Sequence, residues 1–266
     1  MVEKEKVIDT ILSVCKDLGL SVATKVKTDN WKADVVVDYG KYRVAFNVGR
    51  SHRNIDETYL AMRKEHICGC WFVLSPKFRS TYSKGIPCFH IENSNGNLSV
   101  FLNRVWEEET ILSLTDFVAS LIQGNIRYAK TMNVKYVDVR FFKRECWKCG
   151  RENDAYFVYK TISKEGIESE GGIECFNPML VSGIRNYLSC HSEMNIVLGD
   201  IKPRYSRTVN DSYMSFGCAY CDSLFGDLFM NDIFSSVIYS AIKLPKALIE
   251  INDNITVDVD CWYIIK

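Results

Sequence analysis

Two cysteine pairs are the residues best spaced to do chemistry: Cys146-Trp-Lys-Cys149-Gly and Cys218-Ala-Tyr-Cys221, with residues 150–217 between them. A C-x2-C turn aims two thiolates at one point, and two such turns supply the four sulfurs that Zn2+ takes in tetrahedral geometry. The spacing therefore predicts a zinc site made by Cys146, Cys149, Cys218 and Cys221. Four thiolates close the coordination shell and leave no position for a substrate, so this Zn2+ is expected to be structural. A redox dithiol needs only one pair, and the second would have no use. The insert is longer than in a simple ribbon, so much of the C-terminal half must be built between the two knuckles.

The other sulfurs and imidazoles read differently. His66, Cys68, Cys70, Cys88 and His90 fall on or beside neighbouring strand-like runs, where C-x-C and C-x-H each place two side chains on one face. Buried core cysteine is the commoner outcome of such a pattern, and it is the expectation here. Cys15, Cys175, Cys190 and Cys261 have no partner by spacing. The chain holds no GxxxxGK[ST], HExxH or GxSxG, so the P-loop, zincin and serine-hydrolase chemistries have no support.

The positioning elements come from a chain of 266 residues, 47% hydrophobic and 25% charged with 5 prolines, which is enough for two ordinary domains with real cores. The start, MVEKEKVIDTILSVCKDLGL, mixes charges of both signs and has no apolar core or small-residue cleavage site, so a signal peptide is not expected. No apolar run approaches the roughly 18 to 20 residues needed to cross a bilayer, so no membrane anchor is expected either. With 11 cysteines, an odd count, the expectation is a cytoplasmic protein with free or metal-bound thiols. Net charge is zero, yet residues 1–135 hold 19 Lys+Arg against 15 Asp+Glu and residues 136–266 hold 14 against 18. The mild positive balance makes the first half the one with room for a basic surface.

Periodicity predicts a helix over residues 3–18, with Val7, Ile8, Ile11, Leu12 and Cys15 on one side and Gly19 closing it. SVATKV reads as a strand and KADVVVDYGKYRVAFNV as a hairpin turning at Tyr39-Gly40-Lys41. RNIDETYLAMRKEH reads as a helix with Asn54 as N-cap and Glu57 completing a capping box. CGCWFVLS, IPCFHIE and NLSVFLN are strand-like, and residues 105–123 are expected to be helical up to Gly124. YAKTMNVK is the expected linker. Beyond it VKYVDVRFF and DAYFVYK read as strands, SKEGIESEGG as a loop, and NPMLVSGIRNYL as a helix started by Asn177 and Pro178.

In YRVAFNVG, alternation puts Tyr42, Val44, Phe46 and Val48 on one face and Arg43, Ala45, Asn47 and Gly49 on the other. Asn and Gly are poor strand formers, so their place in an apolar run calls for an explanation. The stretch from Asn30 to Ser75 resembles the nuclease-like core of the CoiA family of competence proteins, a branch of the PD-(D/E)xK nuclease superfamily. The residues that carry the likeness are Trp31-x-Ala33-Asp34 before a strand, the hairpin into Val44-Ala45-Phe46, the following Ser51, a helix with Arg63 and a strand centred on Trp71. ECWKCG and SYMSFGCAYCDSLFGDLFM are similar to the two knuckles of that family's zinc module. The likeness covers residues 20–92 and 144–230.

The resemblance implies that Asp34 would ligate Mg2+ and that Asn47 and Gly49 stand where the family carries Glu-x-Gln or Glu-x-Lys. A hard divalent ion needs anionic oxygens, and Asn offers one neutral carbonyl while Gly offers none. Parity would let Asp34, Asn47 and Gly49 face one side. Alternatively the ligands have moved to Asp38, Asp56 or Glu57. Mg2+ or Mn2+ is implied only if the nuclease site is active.

Basic residues next to these motifs are the candidates for nucleic-acid contact. Arg50, His52 and Arg53 precede a helix N-terminus, which suits a phosphate, although a solvated basic loop explains them equally. Residues 135–151 add Lys135, Arg140, Lys143, Arg144, Lys148 and Arg151 with Phe141, Phe142 and Trp147 interleaved. That pattern fits either a groove for single-stranded nucleic acid or the polar face of a strand under the zinc module.

The expected architecture is an α/β PD-(D/E)xK restriction-endonuclease-like domain over residues 1–128, followed by an α+β zinc-binding domain over 136–266. The expected function is a catalytically degenerate nuclease-fold protein that binds nucleic acid, in DNA processing or defence against foreign DNA. An active Mg2+- or Mn2+-dependent endonuclease with migrated carboxylates and a protein-interaction scaffold are the alternatives.

Overall fold

The computed structural model describes residues 2–50, 54–75, 85–105, 108–226, 230 and 243–265. The chain divides into two compact units, Met1–Lys130 with Val259–Lys266, and Thr131–Asp258. Among the described residues no helix is long and apolar enough to cross a membrane.

The first unit runs α1 (Lys4–Asp17), β1 (Ser21–Lys27), β2 (Lys32–Tyr39), β3 (Tyr42–Gly49), α2 (Ile55–Lys64), β4 (Ile67–Val73), β5 (Cys88–Ser94), β6 (Asn97–Val105), β7 (Glu108–Ser113) and α3 (Leu114–Ile122). All seven strands lie in one sheet in sequence order. β1, β2 and β3 form an antiparallel meander, β3, β4 and β5 run parallel, and β5, β6 and β7 are again antiparallel. The meander turns at Gly40, whose φ of +59° suits a two-residue hairpin. Parallel β3 and β4 cannot be joined by a tight turn, and α2 lies in the crossover between them.

Alternation sorts the side chains of this sheet into two cores. Val44, Phe46 and Val48 of β3 and Cys70 and Phe72 of β4 join α1 (Val7, Ile11, Val14) and α3 (Phe117, Val118, Leu121). Ala45, Trp71 and Cys88 instead join Ile55 and Met62 of α2. Phe46 stacks on Phe72 with ring centroids 5.9 Å apart, and Phe72 meets Phe117 edge-on at 5.7 Å. Full burial of each such ring contributes about 1.5–3 kcal/mol. Gly69 lies on the α2 side, where a Cβ would come within 2.5 Å of Trp71 Cη2 and 2.8 Å of Met62 Sδ.

Three local expectations change here. Asn54 has φ +55° and its side chain caps nothing, so no capping box forms. Residues 108–113 are a strand rather than the first half of a helix, because they pair with β6 (Val100 opposite Leu112). The helix starts only after Ser113, whose Oγ accepts the N–H of Asp116 at 3.0 Å. YAKTMNVK holds the boundary between the two units, at Lys130–Thr131, but it is strand rather than loop, part of β8 (Ile126–Glu145), with Ala129, Met132 and Val134 buried. The three-residue spacing of Ile126, Ala129 and Met132 hides the strand period, which is why the stretch reads as aperiodic.

In the second unit, β8 continues from the first and is followed by β9 (Glu152–Ser163), β10 (Glu168–Ser169), α4 (Pro178–Cys190), β11 (Ile201–Ser206), β12 (Asp211–Phe216), β13 (Lys246–Glu250) and β14 (Thr256–Ile264). One sheet has the order β10-β9-β8-β13, with β14 also paired to β8, and β11 and β12 form a two-stranded ribbon. α4 starts as its sequence predicts: Asn177 Oδ1 accepts the N–H groups of Met179 and Leu180, and Pro178 occupies the first turn. Residues 259–266 belong with the first unit although they end the chain. There Trp262 packs on Phe89 and Tyr128 at 5.3 and 5.4 Å between centroids.

Candidate metal centre

Each cysteine pair sits at the tip of a hairpin. β8 ends at Glu145 opposite Glu152 of β9, so Cys146–Arg151 is the turn between them. Within it the Cys146 N–H donates to Arg151 O and the Gly150 N–H donates to Cys146 O, both at 2.9 Å. The second tip repeats the pattern: Cys218 N–H to Ser223 O and Asp222 N–H to Cys218 O, again at 2.9 Å. The residue after each pair is left-handed, Gly150 at φ +70° and Asp222 at +55°. Gly adopts this freely, and Asp is among the few other residues that do so readily. Arg204, hydrogen-bonded to its carboxylate, and Lys202, whose Nζ lies 2.7 Å away, hold Asp222 in place and keep its pKa low.

The two tips bring all four sulfurs within 4.8 Å of one another. Cys146 Sγ lies 3.7 Å from Cys221 Sγ, and Cys149 Sγ lies 3.6 Å from Cys218 Sγ. These separations are too long for disulfides, whose S–S bond is about 2.05 Å. They match the edge of a tetrahedron with metal–sulfur bonds of about 2.3 Å, which is about 3.8 Å. The quartet can hold a metal ion, and it is the one such group of three or more His, Cys, Asp or Glu found among the described residues. Hydrogen bonds from the Ser223 side chain and backbone lower the Cys221 thiol to about 6, favouring the thiolate a metal requires.

A residue that the spacing did not flag ties the tips together. Asn153, fully buried in β9, accepts the Ala219 N–H at 2.8 Å and donates to Arg151 O at 2.9 Å. Its neighbour Asp154, 2% exposed, accepts the Val197 N–H at 2.7 Å and fixes the segment leading to β11. An N-D pair four residues after a C-x2-C is a faint signal, legible only once the second knuckle is known to lie opposite.

The cations of residues 135–151 do not form a solvent-facing stripe. Lys135 pairs with Glu250 at 2.6 Å, Lys143 lies 3.3 Å from both Glu152 and Asp154, and buried Arg140 is forked on Asp138 at 2.8 and 3.0 Å. Arg144 is half-buried over the Phe225 ring, with its Nε and Nη1 unpartnered, and desolvation lowers its pKa. Phe141 and Phe142 are core residues. Lys148, Arg151 and Trp147 remain exposed. Arg50 is exposed directly after β3, whereas Ser51, His52 and Arg53 lie outside the described residues.

The hairpin residues Asp34, Asn47 and Gly49 do not converge. Alternation breaks at Asp34: Ala33 belongs to the α2-side core and Val35 to the α1-side core. The β1–β2 register correspondingly passes from Thr24–Val35 to Val26–Ala33 and omits Asp34. The carboxylate meets Lys4 Nζ of α1 at 2.7 Å and accepts the Val48 N–H at 2.8 Å, just past the last β2–β3 pair, Val35–Phe46. Asn47, between Phe46 and Val48 of the α1-side core, points to the α2 side, where its Nδ2 is buried without a partner. Asp38, Asp56 and Glu57 are exposed, and none joins a metal-capable group with Asp34.

The cysteines of the first unit are core side chains: Cys70 sits on the α1 side and Cys88 on the α2 side. No protein-family model matches the chain, and no curated protein or solved structure matches it either.

Proposed function

We propose that this chain is a catalytically inert nuclease-fold protein that holds a structural Zn2+ and binds nucleic acid. Support for the fold comes from the order α1-β1-β2-β3-α2-β4, with an antiparallel meander and a parallel crossover, which is what the PD-(D/E)xK resemblance calls for. Zinc is favoured over other metals by four soft thiolates in a tetrahedral arrangement. Four thiolates around a divalent ion carry a net charge of about −2, and Arg144, which feels the Cys146 thiol, offsets part of it.

The observation that carries the inert reading is the use already made of Asp34. Both its oxygens are occupied, one by the Lys4 ammonium and the other by the Val48 amide. A metal there would compete with a cation and have no second carboxylate to help hold it. Asp34 closes the end of the β2–β3 ladder instead of ligating an ion. An active nuclease with migrated carboxylates has less support, since Asp38, Asp56 and Glu57 stay at the surface.

Nucleic acid is the partner favoured by exposed basic side chains beside both features, Arg50 after β3 and Lys148 and Arg151 on the first knuckle. The full chain is to be analysed for zinc and incubated with plasmid and single-stranded DNA in Mg2+ or Mn2+. One zinc per chain, no cleavage, and binding that weakens steeply with salt are expected. Cleavage abolished by Asp34→Ala would overturn the inert reading, and absence of binding at low salt would favour a protein scaffold.

A further inference from the structure

We infer that the knuckle tips form a stacking surface for unpaired bases, with Trp147 as its platform. Trp147 is 71% exposed, an unusual state for the largest apolar side chain, and it is not loose. Its Nε1–H donates to Leu224 O at 2.9 Å, a carbonyl on the far side of the second knuckle. The indole's one hydrogen-bonding group is therefore spent within the protein. What it offers a partner is a flat π-face, already ordered.

Tyr220, 48% exposed, occupies the tip of the second knuckle as Trp147 occupies the first, and the sulfurs of both tips converge within 4.8 Å. The Arg151 guanidinium lies 4.9 Å from the Tyr220 ring centroid and so joins a residue of the first knuckle to one of the second. Flat rings alternating with permanent cations suit a strand whose bases stack and whose phosphates need neutralising. The charge balance agrees. On the first tip Lys148 and Arg151 stay exposed with no acid in residues 146–151, and Asp222 on the second tip is neutralised by Lys202 and Arg204.

A duplex hides its base faces, so this surface selects single-stranded nucleic acid or frayed ends. Stacking is also indifferent to base identity, because every base has a π-face. The inference rests on the nucleic-acid reading above, and it specifies both the class of ligand and the residues that meet it.

The test is fluorescence anisotropy at low salt with the full chain, a labelled oligothymidylate and a duplex of equal length. Trp147→Ala should weaken the single strand by about tenfold or more while duplex binding changes little. Trp147→Phe, which keeps a stacking face and loses the hydrogen bond to Leu224, should retain most of the affinity. Zinc content at the wild-type level in both variants shows that the knuckles are intact. If the wild type binds nucleic acid and Trp147→Ala binds the single strand as well as it does, the stacking surface is wrong and the broader reading stands. If the wild type binds neither probe, both fall.

Discussion

Asn153 Oδ1 accepts the N–H of Ala219 at 2.8 Å, so a fully buried side chain from β9 grips the backbone of the opposite knuckle. Its Nδ2 simultaneously donates to Arg151 O, the carbonyl that also receives the Cys146 N–H. One carboxamide thus sets the distance between the two halves of the cysteine quartet before a metal arrives. Asn153→Ala leaves the Ala219 N–H unsatisfied and should lower zinc affinity by about 10- to 100-fold, as loss of a supporting hydrogen bond does at other metal sites. Asn153→Asp keeps the acceptor and loses the donor, and should fall between. Competition with a chromophoric chelator measures both, and unchanged affinity in Asn153→Ala would mean that the strands alone space the knuckles.

Asp34 should behave as a structural residue. Replacing it with Ala strands the buried end of the β2–β3 ladder at Val48 and is expected to cost about 1–3 kcal/mol in urea unfolding. Asp34→Asn preserves an acceptor for the Val48 N–H and should cost less. Lys4→Ala removes a partly exposed ion pair, which contributes about 1 kcal/mol or less. Equal losses for Asp34→Ala and Lys4→Ala would show that the ion pair, not the amide contact, is what matters.

Gly69 marks where the sheet and α2 come closest. Gly69→Ala drives a methyl into Trp71 and Met62 and should destabilise by about 1–3 kcal/mol, the usual cost of overpacking. Pairing it with Met62→Ala should recover part of the loss if the collision is the cause. Thermal unfolding of the two single variants and the double variant reads this directly.

Thiol reactivity should separate the cysteines by environment. Burial pushes Cys88 and Cys175 up to about 12 and Cys70 well above its ordinary value, so these should resist alkylation at pH 8. Cys190 is exposed and should react first. The knuckle cysteines should stay protected while metal is bound and become reactive when a chelator is added. Cys221 should then lead them at neutral pH, because its pKa of about 6 leaves it mostly thiolate; its own rate should fall as pH drops below about 6, while its lead over Cys149, pushed up to about 11, should narrow only as pH rises. Mass spectrometry of partially alkylated protein gives the order, and a Cys221 slower than Cys149 would contradict it.

Much of the molecule can be read from short-range pattern. The hairpin around Gly40, the helices at α1, α2 and α4, and the two faces of β3 follow from alternation, helical spacing and turn residues within a few positions of one another. The strand β7 was not legible, because ETILSLTDF has helical spacing and only pairing with β6 overrides it. The second half of β8 was legible, since VKYVDVRFF reads as a strand, but its start was not, because Ile126, Ala129 and Met132 are buried at three-residue spacing.

By itself the sequence determined that each C-x2-C pair can aim two thiolates at one point, and that the second arm of the hairpin lacks acidic side chains at Asn47 and Gly49. Both are local facts, because a C-x2-C turn and an absent carboxylate do not depend on distant partners. Only the tertiary structure decided that Asp34 turns toward Lys4 and Val48, that Asn153 clamps Ala219, and that Lys135, Arg140 and Lys143 are paired with acids while Trp147 stays in solvent. Each of these depends on which residues, tens of positions apart, the fold packs against one another. A polar group leaving water is stabilised only by the partner it finds there.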